Sequence, residues 1–234
     1  MLRLIALLGL VLGCTLVAQT PAVQLEKHEL SQHDDWWSVK VEYPQMNGES
    51  AFNEAIRRSV TATTDKFRKA LPKTASKGYP DYGAYLKGAY TAQVLRTGIV
   101  SVLFDYDEYT PGAVHPWGVM SSVNYDTHKH RLLRLADLFR PGSDYVAPLS
   151  KLAIASLDQH EYAEKEQIRR GAGPIAGNFQ VFTLTDTELV LHFQQYQVAP
   201  GAEPAQQVAV PLNTLTPMLR EQYRPSAVPT VSWR

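Results

Sequence analysis

The sequence predicts an α+β fold: a mainly antiparallel sheet of about eight strands with two longer helices packed on it. Three observations lead there. Short segments with an apolar side chain at every second position recur along the chain, the pattern of half-buried strands. They come mostly in adjacent pairs joined by short polar turns, which makes neighbouring strands antiparallel. Stretches with apolar residues at helical spacing follow pairs of strands and not every strand, which argues against a doubly wound parallel sheet.

The elements follow in order. Val23 to Leu30 is strand-like, and Trp37, Val39, Val41 and Tyr43 then alternate with Ser38, Lys40 and Glu42. Gln32 to Asp35 supplies a polar turn, so the two segments form a hairpin, and Pro44 is expected to end it. Asn47-Gly48-Glu49-Ser50 is a helix start with Ser50 as N-cap; Phe52, Ile56, Val60, Thr63, Phe67 and Leu71 follow at helical spacing until Pro72. Lys73 to Gly83 is a polar loop rich in Gly and Pro. Tyr85 to Leu95 and Ile99 to Tyr109 form a second strand pair, turned at Arg96-Thr97-Gly98. Ile99 to Phe104 is apolar on both faces, as a central, doubly covered strand requires.

Trp117 to Tyr125 alternates again. Leu132 to Leu135 is a short apolar run, and Ala136 to Phe139 a helical turn. A helix is expected from about Asp144 to Gln159, with Pro148 in the first turn, where a missing N–H costs little. Glu161 to Gly177, charged and then Gly-rich, is expected as a loop. Phe179 to Leu184, Leu189 to Gln194 and Val208 to Val210 are three further strands, and Asn213 to Tyr223 a closing helix.

Residues 1–22 are a signal segment. Arg3 is the one charge before Glu26, and the apolar core from Leu4 to Leu12 is shorter than the roughly 20 residues a spanning helix needs. Cleavage after Leu16-Val17-Ala18 or at Thr20-Pro21-Ala22 would release the chain to the periplasm or cell surface. Val11-Leu12-Gly13-Cys14 offers a lipobox-like alternative with Cys14 lipidated; Leu12 is bulky for that motif, so ordinary cleavage is preferred. Cys14 is the sole cysteine, so the mature chain has no disulfide, thiolate metal site or thiol nucleophile. Lys plus Arg and Asp plus Glu number 23 each, with no basic stripe. This excludes nucleic acid as a partner, and a membrane too unless Cys14 is lipidated. No phosphate-cradling glycine loop, nucleophile elbow or HExxH occurs, and no cofactor is expected.

Three clusters could carry chemistry. Asp105, Asp107, Glu108 and His115 place oxygen and imidazole groups at a strand end and the next loop, as a metal or an acid–base pair would require; a strand end emerging into solvent, with Asp105 and Asp107 as hydrogen-bond acceptors, is the preferred reading. His128 and His130 fall where a polar turn is needed. The aromatic set includes Tyr79, Tyr82, Tyr109 and Trp117 beside loops, where tyrosine and tryptophan favour recognition surfaces. Ser101, Ser121 and Ser122 lie on strands without a partner base legible in the sequence.

Gly112-Ala113-Val114-His115-Pro116 resembles the loop of an extracytoplasmic family, domain of unknown function 3298. That domain forms the C-terminal part of the RsiV anti-sigma factor and accompanies the PdaC peptidoglycan deacetylase. Val123-Asn124-Tyr125-Asp126, Leu132 to Leu135 and Asp137-Leu138-Phe139 resemble its next motifs. Phe182-Thr183-Leu184-Thr185, Leu189 to Phe193, Tyr196-Gln197-Val198-Ala199 and Val208-Ala209-Val210-Pro211 resemble its closing strands. The upstream part is similar to its usual companion, domain of unknown function 4163. The loop here is one Gly short of the doubled form, and Ala202-Glu203-Pro204 replaces a customary Gly. The resemblance implies a companion domain over 23–111, the RsiV C-terminal-like domain over 112–223 packed with it as one globule, and a tail over 224–234. It also implies a cell-envelope module. In RsiV that module binds lysozyme.

The expected function is therefore an exported, non-catalytic binding module for peptidoglycan, lysozyme or another envelope protein. Tyr109, Gly112, His115, Trp117, Tyr79 and Tyr82 are the candidate contacts. The competing expectations are a metal-assisted or acid–base hydrolase of an envelope polymer using Asp105, Asp107 and His115, and a structural protein of the periplasm.

Overall fold

β1 (Leu25–His33) and β2 (Trp37–Met46) form the expected hairpin, paired from Leu25 with Met46 to His33 with Ser38. These and all other positions come from a computed structural model that describes residues 23–71, 83–160, 164–201 and 203–225. β2 runs on through Pro44 instead of stopping there. Pro44 lies beyond the last pair of β2 with β3, Val41 with Gly88, so its missing N–H removes no bond on that side.

α1 (Ser50–Ala70) buries Phe52, Ala55, Ile56, Val60, Thr64 and Phe67 as one stripe. Ser50 is its first residue and not its cap: Glu49 holds the cap position without a side-chain cap bond. Glu49 is drawn into tertiary contacts instead. Its carboxylate accepts hydrogen bonds from Tyr125 Oη at 2.9 Å and His130 Nδ1 at 3.0 Å. α1 is the crossover between β2 and β3 (Ala84–Val94), which pair in parallel. β4 (Ile99–Tyr109), β5 (Trp117–Asp126) and the short β6 (Arg131–Leu132) complete a sheet of order β1-β2-β3-β4-β5-β6, antiparallel elsewhere. Val100, Val102, Phe104 and Tyr106 share a core with α1, while Ile99 belongs to the other core, so the first half of β4 is covered on both faces as expected.

The remaining strands form a second sheet. β7 (Phe182–Leu184), β8 (Glu188–Phe193) and β9 (Gln206–Pro211) are an antiparallel meander. With α2 (Val146–Leu157) they enclose Leu149, Leu157, Leu189, Leu191 and Phe193. The α+β class and the antiparallel bias hold, with nine strands in two sheets among the described residues. Glu161–Gly177, expected as a loop, contains α3 (Lys165–Gly171), which buries Ile168. The expected closing helix is one turn, α4 (Leu212–Leu215), followed by a 3-10 turn at Glu221–Tyr223. Pro217 lacks the N–H to continue it. Among the described residues no helix is long and apolar enough to cross a membrane.

Side chains weld the two sheets together. Ser101 Oγ donates to Asn124 Oδ1 at 2.6 Å and accepts from Leu184 N at 2.9 Å. Asn124 Nδ2 donates to the Phe182 carbonyl at 2.9 Å, and Phe182 N donates to Ser122 Oγ at 3.1 Å. On its edge away from β8, β7 thus has main-chain groups satisfied by side chains of β4 and β5 where a further strand would otherwise pair. Asp126, 4% exposed, finishes the same motif. Its carboxylate accepts from His128 N, Lys129 N and Tyr223 Oη, and Lys129 Nζ lies 3.3 Å away. Burial alone would raise its pKa; the bonds and charge from Lys129 and the Tyr223 hydroxyl outweigh that and hold it below the usual range. The His128–His130 segment is the polar turn expected.

His192 is 6% exposed, with Nε2 at 2.8 Å from Thr183 Oγ1. Burial pushes its pKa from 6.5 down to about 4. A lowered histidine pKa makes stability highest above the unfolded value and erodes it as pH falls from about 6.5 through 4, by up to about 3 kcal/mol. Urea midpoints should therefore drop between pH 7 and 4.5, and His192→Gln should flatten that drop. An equal drop in the variant would refute the assignment to His192.

Candidate functional site

At the end of the first sheet where β4 turns into β5, the chain makes a tight turn, Ala113 N donating to the Thr110 carbonyl at 3.0 Å. Gly112 sits in it at φ +95°, with nothing within 4 Å of where a Cβ would lie, so glycine is needed there for its backbone alone. His115 is exposed, its Nδ1 2.8 Å from the Pro116 carbonyl oxygen, which fixes the loop when Nδ1 carries the proton. Tyr109 stacks on Tyr85 with centroids 5.7 Å apart, and Tyr85 Oη donates to Asp107 Oδ2 at 3.2 Å. Tyr79 and Tyr82 lie outside the described residues, as do Cys14 and the signal segment.

Asp105 and Asp107 alternate with buried Phe104 and Tyr106 and point away from α1. Partial desolvation, and then the like charge of Asp107, push the Asp105 carboxyl up. They do not join His115 in one constellation. His115 Nδ1 is engaged with its own loop, Asp107 with Tyr85, and no group of three His, Cys, Asp or Glu side chains among the described residues is arranged to hold a metal. The metal-assisted reading of Asp105, Asp107 and His115 therefore has no ligand set to support it.

Trp117 is the candidate that the structure develops. Its ring stacks on Tyr196 with centroids 4.9 Å apart and planes at 13°, and the two side chains are 42% and 43% exposed. Tyr196 lies in the β8–β9 loop with φ +65°, a conformation that costs a non-glycine residue about 1 kcal/mol or more. Glutamines hold that loop. Gln194 takes both main-chain groups of Met120, accepting from N at 2.9 Å and donating to O at 2.7 Å. Gln195 accepts from Gly118 N at 3.0 Å. Gln167 in α3 donates to the carbonyls of Tyr196 and Ala199 at 2.8 and 2.7 Å. Gln197 donates to those of Gly171 and Asn178 at 2.9 and 3.0 Å. Gly201 lies flat beneath Tyr196, where any Cβ would overlap the ring.

The sequence singles out Trp117 but not its partner. Tyr196 reaches Trp117 from far along the chain, and the one local signal is the run Gln194-Gln195-Tyr196-Gln197, unusually rich in amides for a turn.

Comparison with known proteins agrees with this architecture. Residues 136–213 match the family described as "Protein of unknown function (DUF3298)", and residues 30–117 match "Deacetylase PdaC". The peptidoglycan-N-acetylmuramic acid deacetylase PdaC of Bacillus subtilis (strain 168) is 28% identical over 189 residues, which is 80% of this chain. The match spans 40% of that protein's length. A DUF3298 family protein from Pseudomonas aeruginosa PAO1 superposes with TM-score 0.60 at 16% identity, covering 86% of this chain and 97% of that one. A second, from Bacteroides fragilis, gives 0.58 at 15% identity, covering 86% and 95%. At such identities the two structures establish a common fold and nothing more. The chain thus carries a DUF3298 region over residues 136–213 and a PdaC-like region over residues 30–117, and it is related in sequence to a peptidoglycan deacetylase.

Proposed function

We propose that this protein is an exported, non-catalytic binding module and that its ligand is peptidoglycan. The observation that carries the reading is the half-exposed Trp117–Tyr196 stack, fixed from behind by a layer of amide hydrogen bonds. Rigid aromatic surface of this kind binds with little loss of side-chain entropy. The relative's name, a peptidoglycan deacetylase, points to the polymer. Lysozyme or another envelope protein is the alternative partner, and export, with or without lipid on Cys14, is part of the proposal.

The purified chain should co-sediment with insoluble peptidoglycan and stay in the supernatant without it. Capture on immobilised lysozyme in place of sedimentation would make the ligand a protein. Enrichment on neither would sink the reading. Intact mass of the mature protein tests export: a start near Gln19 or Val23 means ordinary cleavage, and a lipidated Cys14 means an anchored form.

A further inference from the structure

We infer that the Trp117–Tyr196 stack, together with Glu108, is a subsite for a pyranose ring, so that the glycan strand is what the module reads. The inference rests on the binding role proposed above and narrows it to one chemistry.

Two observations favour sugar over peptide. An extended peptide would be read by adding a strand to a free sheet edge. β5 is the edge strand beside Trp117, since β6 pairs only with Tyr125 and Asp126. Yet the edge groups that such a peptide would use, Gly118 N and both main-chain groups of Met120, are already bonded to Gln195 and Gln194. That edge is closed to main-chain pairing.

The groups left open suit a sugar. Trp117 and Tyr196 offer a flat, electron-rich aromatic surface, and the C–H-bearing face of a pyranose presents weakly positive hydrogens to it. Glu108 is the cross-strand partner of Trp117, which places both side chains on one face of the sheet, about 5 Å apart at Cβ. Its half-buried carboxylate makes no hydrogen bond among the described residues, and Lys66 is the cation that faces it. A carboxylate beside an aromatic plate can accept from sugar hydroxyl and acetamido N–H groups while the ring covers the apolar face. Gln195 cannot serve as a second such group, because its amide spans Gly118 N and the Gly201 carbonyl. Glu108 is therefore the polar half of the subsite.

The test uses the full chain and a peptide-free probe, the β-1,4-linked tetramer of N-acetylglucosamine, beside whole peptidoglycan and free stem peptide. In the wild type, the Trp117 indole N–H resonance, assigned by its absence in Trp117→Phe, should shift with the tetramer and not with the stem peptide. Trp117→Ala should weaken tetramer binding roughly tenfold or more, while Trp117→Phe, which keeps a ring, should lose less. Glu108→Gln should weaken it several-fold with the thermal midpoint unchanged. Sedimentation with peptidoglycan that is undiminished in Trp117→Ala, or a Trp117 resonance that answers to stem peptide alone, would overturn the glycan assignment and leave the binding role standing. If wild-type protein does not sediment at all, the peptidoglycan reading falls and this subsite with it.

Discussion

Asn124→Ala should lower the unfolding free energy by about 3 kcal/mol, more than any surface substitution tried beside it. Asn124 is 3% exposed and holds both ends of the weld between the sheets. Removing its side chain deprives Ser101 Oγ of its acceptor and the Phe182 carbonyl of its donor, and both are buried. Each orphaned group costs roughly 1–3 kcal/mol, and the void adds to that. Ser122→Ala breaks one bond to Phe182 N at a partly exposed position and should cost about 1 kcal/mol. Denaturant unfolding of the two variants checks the order. An Asn124→Ala protein within 1 kcal/mol of wild type would mean that packing alone holds the sheets together.

Gly171→Ala should cost about as much by a different route. Gly171 is buried at the end of α3, and a Cβ there would overlap the main-chain carbonyl of Gln197. A side chain could swing aside; main chain held by further bonds cannot do so cheaply. The segment that must shift carries Tyr196, so the stack on Trp117 should loosen along with the fold. A loss of about 3 kcal/mol corresponds to a fall of roughly 6–12 °C in thermal midpoint for a chain of this size. Tryptophan fluorescence should change in the same variant before unfolding. A midpoint within 2 °C of wild type would show that the α3–loop contact yields without cost.

Much of the fold was legible in the sequence, because its signals are local. The alternation of Trp37, Val39 and Val41, the stripe from Phe52 to Phe67, and the doubly apolar start of β4 each follow from one segment's own spacing. What was hidden depends on distant partners. The division into two sheets was invisible because β7 is attached through Ser101, Ser122 and Asn124, polar residues that read as the solvent side of a strand. α3 was hidden because one buried residue, Ile168, is too few to show a period. The motif Asn124-Tyr125-Asp126, which carried much of the family resemblance, proves to be internal hardware: Asn124 welds, Tyr125 reaches Glu49, and Asp126 caps the turn. Of the expected contacts, Trp117 acquired a partner and a setting. His115 and Gly112 shape the loop beneath it.

The weld also fixes the order in which the molecule can be completed. Its bonds join residues 83 positions apart, Ser101 to Leu184, and 58 apart, Asn124 to Phe182. A chain emerging from its N-terminus forms β1 to β5 long before β7 exists. Until then Ser101, Asn124 and the apolar residues around Ile99 have no cover. Contacts so distant in sequence form late and slowly, and the half-built sheet is the species most prone to stick to its neighbours. The face that later disappears between the sheets is thus, for a time, the one that a newly made chain must shield.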